Sequence, residues 1–383
     1  MLRSKFNIVV EGQHGSTGKG LINSYLAWKN EPEIISCTNM KNAGHTAILP
    51  DGKTFVAKAI PSSAILNGTD HNGNGPYCPT VVLGAGAAFS MDQLKKELEE
   101  CGHPRLIIHE RAGVITEKHK SAESADSGEF STKHIASTMQ GCGAFLAEKI
   151  MRGPNVSLAR NYDELNDYVD ISRFGGVRYA DNYLPLLLID ALNRGDTILH
   201  EGSQGFSLDI NHGSHYPFCT SRSCTAGQSM TDMGIPHQLM GDVYLVVRPY
   251  PIRVGHVVEN GVTVGESGGC YQDNEETTWA AVAEACGAPP EVTAGELTTV
   301  TKRLRRVFTW SDIQFARAVA VNGATKICLN FANYIDWSCF GVNDWSKLSP
   351  KILKWIEKLE KRHNVEVVLV GTGPRVDQVC SKY

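Results

Sequence analysis

The sequence predicts an α/β fold: one large domain over residues 1–383, with a central, mostly parallel twisted sheet flanked by helices and carrying insertions. Three observations point there. A short apolar run at 7–11 (NIVVE) stops at a glycine, as a buried strand does before a turn. The segment Gly12-Gln13-His14-Gly15-Ser16-Thr17-Gly18-Lys19-Gly20 follows at once, and 21–28 then reads as a helix. Apolar runs and amphipathic stretches alternate from there onward.

Further buried strands are expected at 81–83, 105–109, 197–200, 243–247, 326–329 and 365–370, several ending in a glycine or a polar turn. Helices are expected at 91–101, 144–151, 183–194, 277–286, 313–321 and 349–363. The polar stretch 117–132 is expected to be mobile. No repeat or linker divides the chain. Ligands of open parallel sheets collect at the carboxyl ends of strands, so the turns there carry the functional argument.

A content of 42% hydrophobic and 20% charged residues is that of an ordinary globular protein. A net charge of −4 argues against a general nucleic-acid binder. The eleven cysteines include no CxxC pair and form no ligand ladder, which fits free thiols in a reducing cytosol. No run reaches the ~18 apolar residues of a membrane span and no apolar signal core opens the chain. A cytoplasmic protein with no membrane partner is expected.

The glycine segment suits phosphate binding. Glycines permit close backbone approach at a helix start, and Lys19 neutralises phosphate charge. It departs from the Walker pattern, because Gln13 stands where a glycine is required and Gly20 replaces the Mg²⁺-binding hydroxyl. A plain strand-to-helix turn explains the glycines but not the lysine. A second segment, Asn42-Ala43-Gly44-His45-Thr46, sets an imidazole after a glycine, where it suits a proton donor to a bridging phosphate oxygen.

Together these two segments resemble the adenylosuccinate synthetase family. Other segments match it in order: Ile60-Pro61-Ser62, Glu201-Gly202-Ser203-Gln204-Gly205, Leu208-Asp209-Ile210, His212-Gly213 and Tyr216-Pro217-Phe218-Cys219-Thr220-Ser221. Arg253-Val254-Gly255, Thr301-Lys302-Arg303-Leu304-Arg305-Arg306 and Gly373-Pro374 continue the series. The family phosphorylates the 6-oxygen of a purine nucleotide and displaces the phosphate with the amine of aspartate.

The resemblance implies a site residue by residue. Lys19 would contact the transferred phosphoryl group, His45 the bridging oxygen, and Gln204 the base; with position 16 these are the catalytic positions. The triphosphate would lie on Gly15, Thr17, Gly18, Lys19, Gly20, Gly44, His45, Thr46, Asn330, Asn333, Gly371, Gly373 and Pro374. The monophosphate would lie on Ser16, Asn42, Ser137, Thr138, Arg152, Gln204, Thr220, Val254 and Arg303. Thr299, Thr301, Arg303 and Arg305 would hold L-aspartate, the guanidinium forks pairing with its carboxylates. Mg²⁺ would sit near Ser16 and the Gly44 carbonyl, and Arg152 would reach a neighbouring subunit's site in a homodimer.

Two departures shift the implied substrates. The family has an aspartate at Ser16, where it removes the purine N1 proton and lies close to Mg²⁺. Serine is shorter and uncharged, which opens room beside N1 for the 2-amino group of guanine. The family's guanine-selecting Lys-x-Asp is replaced after 327–329 by Asn330-Phe331-Ala332-Asn333. The Asn333 amide pairs with adenine by the logic of DNA readout, and Phe331 offers a ring to stack on the base or simply packs. Both departures resemble the phage and archaeal branch that joins aspartate to dGMP with ATP or dATP; for a phage protein the host cytoplasm is the expected location. A conventional IMP- and GTP-using enzyme, a nucleotide-switched binding protein and a small-molecule kinase are the other readings.

Overall fold

Phe6–Glu11 is buried at every position because it runs through the middle of a nine-stranded sheet covered on both faces. Phe6, Ile8 and Val10 enter one core, while Val9 enters the other, as the two-residue strand period requires. The computed structural model describes residues 2–125, 127–174, 183–298 and 302–383.

The strand order is Val379–Ser381, Val367–Gly371, Lys326–Leu329, Met240–Val247, Phe6–Glu11, Ile198–Glu201, Ile34–Cys37, Thr80–Leu83, Leu106–Ile108. All neighbours are parallel except Val379–Ser381, which runs against Val367–Gly371. After the first strand the chain builds one side of the sheet, then returns to insert Ile198–Glu201 and build the other. The crevice where ligands gather in such sheets therefore opens at the end of Phe6–Glu11.

One face is covered by helix Lys19–Asn30, the Ser62–Leu66 turn and the hairpin of His45–Ile48 with Thr54–Ala57. Helices Leu184–Arg194, Asp312–Asn322 and Pro350–His363 cover the other, through residues such as Leu188, Phe315 and Ile356. All eleven cysteines are free.

The expected strands and helices are present, with ends shifted by up to three residues, the largest shift being at Met240–Val247. Ile34–Cys37 and Val379–Ser381 were not anticipated: each is short, the first paired on both sides with strands of its own length and the second with the longer Val367–Gly371. The mobile segment expected at 117–132 is corrected in its first half. Glu117–Ser124 is a helix, opened by a capping box between Thr116 and His119. Its Glu123 is buried and accepts the backbone N–H groups of Gly141, Gly143 and Ala144, which fixes the start of helix Cys142–Met151.

Candidate active site

The turn after Phe6–Glu11 is built around its deviations from the Walker pattern. Gln13 exchanges two 3.0 Å hydrogen bonds with the backbone of Arg248, tying the turn to the end of the neighbouring strand. Gly15, Ser16 and Gly18 have φ of 96°, 58° and 78°, so the turn curls left-handed before the helix starts at Lys19. A Cβ on Gly20 would stand 2.9 Å from the carbonyl of Thr46. Gly20 is thus the clearance that lets the helix touch the His45 strand.

That close approach assembles a buried chain of charges. Glu11 Oε1 accepts the Thr17 N–H at 2.7 Å, and Glu11 Oε2 lies 3.4 Å from Lys19 Nζ. Lys19 Nζ lies 3.0 Å from His45 Nε2, and His45 Nδ1 lies 2.7 Å from Glu201 Oε1. Glu201 Oε2 accepts the Ser62 N–H at 2.6 Å and the Asn23 amide at 3.3 Å. Ser62 in turn donates to the Gly20 carbonyl at 3.0 Å. Burial alone would raise the Glu201 carboxyl, but His45, Lys19 and the Ser62 N–H together hold it below the usual carboxylate range.

Above this chain opens a cleft of about 550 Å³. Of the expected site residues, Gly15, Ser16, Gly18, Lys19, Gly20, Asn42, Gly44, His45, Thr46, Ser137, Thr138, Gln204, Thr220, Val254 and Arg305 line it. Gln204 has φ 60° and donates to Asn42 Oδ1 at 2.8 Å, pairing the two residues expected at the base. The hydroxyls of Thr220 and Thr132 are buried without a protein partner at the cleft wall, which suits them to an incoming phosphate or sugar oxygen. Arg253 also lines the cleft, donating to the carbonyls of Phe218 and Gly269 at 3.0 and 3.2 Å. Burial, and the nearby Arg306, push its pKa down to about 10.

The remaining expected residues stand back from the cleft wall. Arg303 spans the Gly255 carbonyl at 3.1 Å and the Ala136 carbonyl at 3.0 Å, stitching the Val254 turn to the Ser137 loop. Arg305, which does line the cleft, donates to the Ser16 hydroxyl there. Asn330, expected on the triphosphate, turns its amide to the carbonyls of Thr17 and Gly18 at 3.0 and 3.4 Å, so it shapes the phosphate turn from behind. Gly371 follows Asn330 closely in space: a Cβ there would overlap the Asn330 amide. Asn333 is only 5% exposed and, with Gly373 and Pro374, is absent from the cleft wall, which Phe331 reaches instead. Thr17 also lies beneath the wall, its hydroxyl buried and without a protein partner. Arg152 is exposed at the end of helix Cys142–Met151, away from the chain's own cleft. Thr299 and Thr301 lie outside the described residues.

Sequence reading missed several participants. Glu11 and Glu201 are carboxylates that close buried strands just before a glycine, and that placement was the available signal. Arg248 had no local signal. It is fully buried, paired with Glu296 at 2.6 Å, donates to the Ser16 carbonyl at 3.1 Å and lies 4.0 Å over the Phe331 ring.

Such a cleft can hold two phosphorylated ligands: one on the glycine turn, Lys19 and His45, the other along Asn42, Gln204 and Thr220. The adenylosuccinate synthetase family model matches residues 8–169 and 157–338. The N6-succino-2-amino-2'-deoxyadenylate synthase of Vibrio phage phiVC8 is 37% identical over 97% of both chains. The adenylosuccinate synthetase of Archaeoglobus fulgidus is 33% identical over 97% of this chain and 96% of its own. The succinoaminodeoxyadenylate synthetase of cyanophage S-2L, solved bound to dGMP and dATP as an energy donor, superposes with a TM-score of 0.76 at 30% identity, covering 100% of this chain and 96% of that one. With the phosphate turn, the His45 segment and the Gln204 segment converging on one cleft, the chain belongs to the adenylosuccinate synthetase family.

Proposed function

We propose that this protein is a ligase that joins L-aspartate to C6 of dGMP with ATP or dATP. The products are N6-succinyl-2-amino-2'-deoxyadenylate, the nucleoside diphosphate and phosphate. The observation that carries the reading is Ser16: a short neutral hydroxyl lines the cleft where the family has an aspartate, which leaves room for a 2-amino purine. The phage relatives named for the 2-amino product support it.

In the first step the dGMP 6-oxygen attacks the γ-phosphorus, the bond to the β–γ bridging oxygen breaks, and the N1 proton passes to water. Lys19 neutralises the transferred group and His45 faces the bridging oxygen. In the second step the aspartate amine attacks C6 and the 6-phosphate leaves. Arg305 stands at the Ser16 side of the cleft, where an aspartate carboxylate replaces the serine hydroxyl as its acceptor.

The cleft fits a Mg²⁺ brought in on the nucleotide. Among the described residues no group of three or more His, Cys, Asp or Glu side chains gathers to hold a metal. Magnesium bound through substrate phosphates and water needs few protein ligands, and the Gly44 carbonyl with the Ser16 hydroxyl would supply neutral oxygens. When bound it would neutralise charge on the phosphates. A homodimer is supported by Ile150 and Met151, which are 72% and 77% exposed beside Arg152.

The test is one competition: dGMP, GMP and IMP with ATP, dATP or GTP and aspartate, products resolved by mass spectrometry. The succinylated product of dGMP should dominate. Dominance of the IMP product with GTP would make the protein a conventional adenylosuccinate synthetase, a reading the archaeal relatives keep alive. Phosphate release that ignores aspartate would sink the ligase assignment.

A further inference from the structure

The cleft proposed to take phosphates and aspartate carries a carboxylate of its own. Glu296 lines the wall with its side chain a quarter exposed. Behind it, off the cleft wall, Arg248 is fully buried and grips both oxygens, donating to Oε1 at 2.6 Å and to Oε2 at 3.1 Å. Tyr334 adds a hydroxyl to Oε1 at 3.1 Å. Arg248 is itself fixed. Gln13 pins its backbone, and the nitrogen that meets Oε2 also donates to the Ser16 carbonyl at 3.1 Å. The Phe331 ring covers the face of its guanidinium at 4.0 Å.

A second cation stands alongside. The Arg305 N–H donates to the Glu296 carbonyl at 2.8 Å, so the two residues adjoin through their backbones. Among the described residues the Arg305 side chain hydrogen-bonds to neutral acceptors alone, the Leu297 carbonyl at 3.2 Å and the Ser16 hydroxyl. Both guanidinium groups thus end at Ser16, Arg248 on its carbonyl and Arg305 on its hydroxyl. Burial would raise the Glu296 carboxyl, but Arg248 first and Arg305 after it hold it below the usual carboxylate range. We propose that Arg248 is a positioning residue for aspartate: it sequesters Glu296, and so leaves Arg305 available to the substrate carboxylate. A carboxylate this deep does not stay without a counter-charge. With Arg248 gone, Glu296 would take Arg305, and aspartate would have to break an ion pair. With Arg248 in place, aspartate has to displace only a serine hydroxyl, which a carboxylate outcompetes for a guanidinium. The proposal rests on the ligase reading through the assignment of Arg305 to aspartate.

Arg248→Met removes the cation and keeps a stem to pack. KM for aspartate should rise about 10- to 100-fold, the scale of a hydrogen bond to a charged group, while kcat at saturating aspartate and KM for dGMP stay within about threefold. Adding Glu296→Gln removes the competitor, so the double variant should return the aspartate KM to within about threefold of wild type. A merely structural Arg248 predicts otherwise, because the double variant loses both partners. An aspartate KM as high in the double variant as in Arg248→Met overturns the proposal. Should Arg248→Met not fold, Arg248→Lys keeps a buried cation but offers one ammonium to two oxygens. Its aspartate KM should rise about threefold, and Glu296→Gln should again remove the rise; no rise, or a rise that persists with glutamine, is the overturning result. A wild-type protein that releases phosphate without aspartate defeats the ligase reading. A wild type that requires aspartate, with its KM unmoved in the variants, defeats the role of Arg248 alone.

Discussion

The two ends of the cleft are built differently. At the phosphate end, Glu11, Lys19, His45 and Glu201 are all buried and joined in one chain of contacts, set on the ends of sheet strands and the first turn of a helix. At the base end, Ser16, Gln204 and Arg305 project from turns, and hydroxyls such as that of Thr220 wait without partners. The first end is preorganised by the sheet and tolerates little change; the second is made of short, exchangeable side chains on loops. Reaction type is thereby separated from choice of base. A family keeping the first end and varying the second can move between purines.

That separation can be broken most forcefully at His45. His45→Ala should lower kcat by about 10³-fold with dGMP and with any purine that replaces it, as removal of a general acid does. Steady-state kinetics on both purines checks this. A loss confined to one purine would join the two ends after all.

Ser16→Asp acts at the other end. It should lower kcat/KM for dGMP by about 10- to 100-fold and partly restore use of IMP. The structure adds a second consequence, because the new carboxylate would meet the Arg305 guanidinium that now donates to the serine hydroxyl. A charge-assisted pair there would hold Arg305 away from aspartate, so KM for aspartate should rise in the same variant. Unchanged preference between dGMP and IMP would remove Ser16 as the reader of the base.

A third test concerns the rigid end through protons. Burial holds His200, next to Glu201, down to about 3, and burial followed by the nearby Arg253 keeps His14 well below its usual value. Both folded-state values lie under the ~6.5 of an unfolded histidine, so the unfolded chain binds more protons below that pH. Stability present above pH ~6.5 is therefore lost as pH falls, by up to about 1.4 kcal/mol per unit for His200 until pH approaches 3. Urea unfolding at pH 7.5, 6 and 5 measures the slope, and His200→Asn should flatten it. Equal slopes in the two proteins would mean His200 is not the proton site.

The smallest effect is expected at Asn333. Because Asn333 is buried and off the cleft wall, Asn333→Asp should shift preference from ATP toward GTP by only about threefold, the scale of an indirect contact. A shift of two orders of magnitude would put Asn333 on the base directly.

Sequence carried the architecture and the order of the functional turns, because each turn sits at the end of an apolar run and holds glycines that packing alone does not need. It also placed Lys19, His45 and Gln204 at one site. What it did not carry is pairing at a distance. Nothing near Glu201 announces His45, 156 positions earlier by their numbers (201 − 45), and nothing near Arg248 announces Ser16 or Phe331. The family resemblance placed Asn330 on the triphosphate. The fold turns its amide inward to the carbonyls of the phosphate turn instead.

That inward amide makes three distant stretches mutually dependent. Asn330 is wedged between Gly18 and Gly371, and a Cβ on either glycine would overlap its amide. Gly18 is doubly constrained, since its φ of 78° excludes most side chains whatever fills the space. Gly371 has no such restriction, so the asparagine alone forbids a larger residue there. Alanine at 371 becomes admissible only after position 330 has shrunk. In the history of such a protein the order of those two substitutions is fixed, and a survey of single changes would record as forbidden a residue that the right predecessor permits.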